Sequence, residues 1–197
     1  TLESACDHIS RQGTGNKNMY IDALCLLSNL LIQEGQWERA LQYSNQALNL
    51  TGEETGYYNY GKINLMIGTI CDALGEFNKA FDHSRRAFRY FEVVENTDLA
   101  IAAMINCGIH LRNLGQCESS SKWLQRAYDR ASSEKNYARA AWALAERAID
   151  GSNGSDEPLN QLMSALKLDP ANTEAPKWIA RISECAKSQQ IGSDLLD

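Results

Sequence analysis

The sequence predicts an all-α fold, an α-α superhelix of helix-turn-helix hairpins with a C-terminal capping helix, and three observations carry that prediction. One phrase returns every forty residues: Gly35-Gln36-Trp37-Glu38-Arg39-Ala40, Gly75-Glu76-Phe77-Asn78-Lys79-Ala80 and Gly115-Gln116-Cys117-Glu118-Ser119-Ser120. A fixed period of this size marks one supersecondary unit stacked on copies of itself. Other columns keep the same spacing: Ala47, Ala87 and Ala127 after the phrase, and Leu27-Ser28, Ile67-Gly68 and Cys107-Gly108 with Leu31, Cys71 and Leu111 before it. Apolar and small residues at steps of three and four define one helix face, and the Gly of each phrase marks the turn between two helices.

The elements follow in chain order. Within residues 1–20, Leu2-Glu3-Ser4-Ala5-Cys6 aligns with the second helix of a preceding unit, Ala5 matching Ala47, Ala87 and Ala127. A second helix cannot bury its apolar stripe alone, so the expectation is a fragment of a longer array, with the parent's activity lying elsewhere. Residues 21–60, 61–100 and 101–138 are regular units. Residues 139–170 form a divergent unit in which Trp142, Ala145, Ile149, Leu162, Ala165 and Leu168 take core columns and Pro170 a terminator. There Glu146 and Pro158 stand where small residues are expected, and Asp150 to Asp156 is Gly- and Ser-rich in place of a tight turn. Proline is tolerated in a first helical turn, which puts the start of that unit's second helix near Ser155 or Asp156. Residues 171–188, with Thr173 as N-cap, Pro176 in the first turn and Trp178, Ile179 and Ile182 apolar, form the capping helix. Residues 1–188 thus make one domain, and 189–197 are expected to be a disordered tail.

This pattern resembles the tetratricopeptide-repeat family, on the strength of the columns just named. The resemblance implies that small residues on the two helices of a hairpin let them cross closely, Ser28 meeting Ala40, Gly68 meeting Ala80 and Gly108 meeting Ser120. It implies packing and says little about function. The shortest members repeat every 34 residues or so. The additional residues here fall after the Ala47, Ala87 and Ala127 column, so the second helix or its exit is longer by about 9 Å if helical. Long units of this kind resemble those of kinesin light chains, spindle-orienting adaptors and bacterial peptide-sensing regulators.

Composition fits such an array: 197 residues, 44% hydrophobic, with only three Pro. No apolar run approaches the roughly 20 residues that span a bilayer, so no membrane association is expected. The six Cys are scattered singly, with no CxxC pair. They read as small core residues of a reducing, cytoplasmic compartment. No metal-ligand spacing, phosphate loop or nucleophile elbow appears, and the three His are far apart. Cys107 and His110 are three apart on one helix, but Cys107 sits in a packing column. No enzyme activity, cofactor or metal is therefore expected. The net charge of −6 opposes nucleic-acid binding. Arg85, Arg86 and Arg89, with Lys122, Arg126 and Arg130 one unit on, read as a solvated face or a basic strip for an acidic partner segment.

The resemblance also implies a binding groove lined by first helices. Carried over by column, its residues are Asn29, Ile32 and Gln33, then Lys62, Leu65, Thr69 and Asp72, then Ile105, Ile109, Arg112 and Asn113. Asp22, Cys25, Ala73 and Ala102 join them, with Ala140, Ala143, Arg147, Asp150 and Gly151 in the fourth unit. Amides hold a peptide backbone by paired donors and acceptors, and Ile and Leu make shallow pockets. Family members that clamp the C-terminal tails of chaperones use Lys, Arg and Asn in set columns. Here those columns hold Cys25, Asn29, Met66, Ala102 and Asn106, so chaperone tails are not expected as partners. The expected function is a noncatalytic scaffold that binds a peptide or partner protein. The alternatives are a peptide-sensing or regulatory domain of a larger transcription regulator or protease, and self-association through the N-terminal end.

Overall fold

The computed structural model describes residues 17–52, 56–150 and 157–169, together with 177, 178, 180 and 184. Eight helices lie among them: α1 (Lys17–Gln33), α2 (Trp37–Leu50), α3 (Gly56–Ala73), α4 (Phe77–Val93), α5 (Thr97–Asn113), α6 (Cys117–Ser133), α7 (Tyr137–Asp150) and α8 (Glu157–Leu168). The described residues contain no strand. Odd-numbered helices are the first helices of the hairpins and even-numbered ones the second. The chain divides into two compact units, Thr1–Asn106 and Cys107–Asp197, the division falling within α5. Leu2 to Cys6, most of the 171–188 segment and the 189–197 tail lie outside the described residues.

Helix starts recur every twenty residues along most of the chain, and the reason is a repeated turn. After α1, the Gly35 N–H donates to the Ile32 carbonyl (3.0 Å) and the Gln36 N–H to the Leu31 carbonyl (2.8 Å), with Gly35 at φ 71°. These two bonds satisfy carbonyls that the helix end would otherwise leave bare, and the left-handed residue between them costs glycine little. The same pair of bonds closes α3, α4, α5 and α6. After α4 and α6, however, the left-handed position is taken by Glu95 (φ 54°) and Lys135 (φ 56°). The next residues, Asn96 and Asn136, cap the following helices: their Oδ1 atoms accept from the N–H groups of Leu99 (3.0 Å) and Arg139 (3.2 Å). The residues beyond the short repeat length are helical in α4 and α6. In the first unit α2 stops at Leu50, and the extended Thr51 takes the cap, its carbonyl accepting from Tyr60 Oη at 2.9 Å.

The fourth hairpin keeps the register. Because α7 and α8 begin forty residues after α5 and α6, the column of Ser28, Gly68 and Gly108 falls on Ala148, which is buried, and not on Glu146. The column of Ala40, Ala80 and Ser120 falls on Asn160, which is exposed. Pro158 sits in the first turn of α8, where its missing N–H costs nothing.

Close crossing is visible in the first three hairpins. Ser28 Oγ donates to the Ala40 carbonyl (3.0 Å) and lies 2.7 Å from Ser44 Oγ. A Cβ added at Gly68 would stand 2.7 Å from Ser84 Oγ and 3.2 Å from the Ala80 carbonyl; one at Gly108 would meet Leu124 Cγ at 2.6 Å. The larger side chain on the partner helix is thus accepted only where the first helix offers no side chain at all.

In the first unit, Ile21, Leu24, Ala47, Ile63, Ile67, Cys71 and Ala80 form a core shared by α1 to α4. A second cluster joins Ala87 and Phe91 of α4 to Ala100 and Ala103 of α5. Full burial of a ring such as Phe91 stabilises by about 1.5–3 kcal/mol. In the second unit, Ala141, Leu144, Ala145 and Ala148 of α7 pack with Trp178 and, from α8, Leu166 and Leu168.

Candidate functional site

On α1 the residues left in solvent recur at steps of three and four: Met19, Asp22, Leu26, Asn29 and Gln33. They share one face because 3.6 residues make a turn. The opposite stripe, Ile21, Leu24, Leu27, Ser28 and Leu31, is buried. Met19 is 57% and Leu26 52% exposed, and their seven-residue spacing puts both apolar side chains on the same helix face. Cys25, half-buried beside them, has its thiol pushed up to about 11 by burial, with Lys62 opposing and Asp22 adding to the shift. Its thiolate is scarcely populated at neutral pH, so the face offers no nucleophile there.

On α3, Lys62 and Thr69 are exposed and Leu65, Met66 and Asp72 half-buried. Lys62 lies 5.5 Å over the Tyr58 ring. Leu65 packs against the Ala87–Phe91 cluster, and Ile32 of α1 against the cluster of Leu27, Leu31, Ala40 and Ile70. Both branched side chains therefore present only an edge.

The α5 column departs from expectation. Ile105 is fully buried, as are Ile101 to Met104 around it, so Ile105 offers nothing to a ligand. This half of α5 is enclosed by packing on all sides, which alternation on one helix cannot reveal. Ala102, Ala140 and Ala143 are buried too.

In the second unit Ile109 is half-buried and Asn113 exposed. Arg112 is committed: its Nη2 donates to Glu146 Oε2 at 2.8 Å and its Nη1 to the Glu146 carbonyl at 3.1 Å. Glu146 shares its column with Leu26, Met66 and Asn106, and none of the four is in the expected lining set. The steps from Asp22 to Leu26 and from Leu26 to Asn29 would have found that column.

Among the described residues, no group of three His, Cys, Asp or Glu is placed to hold a metal ion. No helix among them is long and apolar enough to cross a membrane.

No protein-family model matches the chain, and no curated protein matches it. Solved structures do. Aspartyl phosphate phosphatase F from Bacillus subtilis superposes with a TM-score of 0.72 at 12% identity, over 92% of this chain and 53% of that one. A Rap protein complexed with competence and sporulation factor gives 0.72 at 15%, over 98% and 61%. YrrB, a tetratricopeptide-repeat protein with an unusual peptide-binding site, gives 0.52 at 19%, over 88% and 90%. The fold is the tetratricopeptide-repeat fold. At these identities the likeness is one of architecture, and the chain spans between a half and two thirds of the first two structures' length. On α1 the first-helix face combines two exposed apolar side chains, Met19 and Leu26, with the exposed polar Asp22, Asn29 and Gln33.

Proposed function

We propose that the chain is a noncatalytic interaction module that holds a peptide or a segment of a partner protein on its first-helix faces. The observation that carries this reading is the α1 stripe, where Met19 and Leu26 stand in solvent between Asp22, Asn29 and Gln33. Apolar anchors flanked by amides suit a peptide, whose side chains want pockets and whose backbone wants paired donors and acceptors. Lys62, Thr69 and Asp72 extend the face on α3; Ile109, Arg112 and Asn113 belong to the second unit. YrrB, with its peptide-binding site, supports the reading by architecture. Chaperone tails remain unexpected partners, since only Asn29 or Asn106 survives from the clamp. The absence of clustered catalytic groups in the sequence and a cytoplasmic location belong to the same proposal.

The second reading is a peptide-sensing or regulatory domain of a larger protein. It is favoured by likeness to the Rap protein complexed with competence and sporulation factor. Selection of binders from a random peptide library, followed by calorimetry on Leu26→Asp, Asn29→Ala and the second-helix control Arg89→Glu, tests both. Binding should weaken at least about tenfold in the first two and not in the third. Selected peptides that bind all three variants equally would end the first-helix proposal.

A further inference from the structure

A surface pocket of about 530 Å³ opens on α6, lined by Ser119, Lys122, Trp123, Gln125 and Arg126. Its origin is legible in the repeat columns. Ser119 stands where the earlier units carry Arg39 and Lys79, so a short hydroxyl replaces a long side chain in the first turn and leaves space beside the indole. Trp123 stands where those units carry Tyr43 and His83. Tyr43 is packed against the first unit's core clusters, and His83 lies 2.9 Å from Asn64 Oδ1; the larger indole is left only half-buried.

The chemistry of the walls is specific. Arg126 lies 5.2 Å over the Trp123 ring, a placement that sets its positive charge beside the indole. Lys122 pairs with Glu118 at 2.6 Å, both side chains well exposed, and a pair of that kind is worth little and yields readily to a competing carboxylate. Ser119 adds a hydroxyl in the first turn of α6, whose N-terminal amides favour negative charge. Gln125, which donates to Asp129 Oδ1 at 2.7 Å, completes the lining. The depression is open to solvent, so an occupant is held from the α6 side and keeps much of its own surface in water.

We propose that this pocket is a second recognition site, separate from the first-helix faces, for an acidic partner peptide in which a carboxylate neighbours an aromatic side chain. The carboxylate meets Arg126 and Lys122, and the aromatic ring enters beside Trp123. Charge complementarity favours this occupant over a neutral or basic one, and the aromatic wall favours it over a bare anion.

The test is a titration of the full chain with the capped tripeptide acetyl-Asp-Phe-Asp-amide, followed by NMR of the backbone amides and indole N–H groups. Saturable shifts confined to α6 and the Trp123 indole are expected. Arg126→Glu should weaken binding by about tenfold or more. Ser119→Arg, which restores the first unit's residue and so leaves the fold intact, should abolish it. The Asn-Phe-Asn peptide should not bind. Absence of saturation at millimolar peptide, unchanged binding by Arg126→Glu, or equal shifts from the Asn peptide or from inorganic phosphate would each overturn the proposal. None of these outcomes touches the first-helix reading, because Leu26 and Asn29 are not involved.

Discussion

Arg112 of α5 and Glu146 of α7 form a two-point pair, guanidinium to carboxylate at 2.8 Å and guanidinium to main-chain carbonyl at 3.1 Å, with side chains only 13% and 2% exposed. It ties the end of one first helix to the middle of the next. Burying both charges is costly, and the pair breaks even only because the fork geometry answers the carboxylate and a carbonyl together. Removing one partner strands the other. Glu146→Ala should therefore cost about 3–5 kcal/mol, whereas the double change Arg112→Met with Glu146→Leu should cost much less. Denaturant unfolding of the three proteins decides it; a Glu146→Ala loss below about 1 kcal/mol would show the pair to be incidental.

Glu95 and Lys135 occupy left-handed backbone that glycine holds at the corresponding turns after α1, α3 and α5. A side chain there crowds its own carbonyl, at a cost of about 1–2 kcal/mol. The N–H bonds that close the turn use backbone alone, so nothing is lost with the side chain. Glu95→Gly and Lys135→Gly should each stabilise by about 0.5–1 kcal/mol after allowance for glycine's freer unfolded state. The gains should add, since the two turns share no hydrogen-bond partner. Thermal unfolding midpoints that fall in both variants would refute this account of the turns.

The third hairpin holds two opposite errors of size. A Cβ at Gly108 would lie 2.6 Å from Leu124 Cγ, inside contact distance, so Gly108→Ala should destabilise by about 1–3 kcal/mol through overpacking. Ser120 Oγ, by contrast, is buried with no hydrogen-bond partner, in a column that is alanine in the first two hairpins. Ser120→Ala should stabilise by about 1 kcal/mol, because an unpartnered hydroxyl loses its water on folding without return. Shifts of opposite sign in the same denaturation series, the Gly108→Ala loss at least as large as the Ser120→Ala gain, would be the signature; a neutral Gly108→Ala would mean that the helices part easily.

The array was legible because packing columns repeat: Ala40, Ala47 and Ser28 announce a crossing by their size, and copies forty residues on repeat the announcement. The faces were harder to read. Burial of Ile105 depends on what surrounds α5 on every side, information that its own spacing does not hold. Glu146 looked like a defect in a small-residue column, since the Gly- and Ser-rich stretch before α8 obscured the register by two residues. Its partner, Arg112, lies 34 residues away and gives no local sign of the pairing. Asn96 and Asn136 went unremarked as caps because they fall outside the forty-residue packing columns, although Asn is a common N-cap type and each stands three residues before the N–H group it accepts from. The left-handed Glu95 and Lys135 were not, because only glycine advertises that conformation.

His83 of α4 lies 2.9 Å from Asn64 Oδ1, and its basicity is lowered, first by burial, then by the neighbouring Arg86, with Lys79 acting the same way and Asp82 opposing. The neutral ring is thus favoured in the folded chain, while the unfolded chain takes up a proton near the ordinary value of 6.5. Below that pH the unfolded state binds more protons, so stability falls as acid is added. The stabilisation is fully present above pH 6.5 and is lost progressively as the pH falls toward the folded-state value. Replacing the ring by Gln, which keeps a donor toward Asn64 but cannot titrate, should flatten this part of the profile. Urea midpoints measured from about pH 5 to 8 in both proteins provide the check, with most of the carboxylate titration lying below that window. An identical acid-side decline in His83→Gln would assign the effect to other groups and remove His83 from the account.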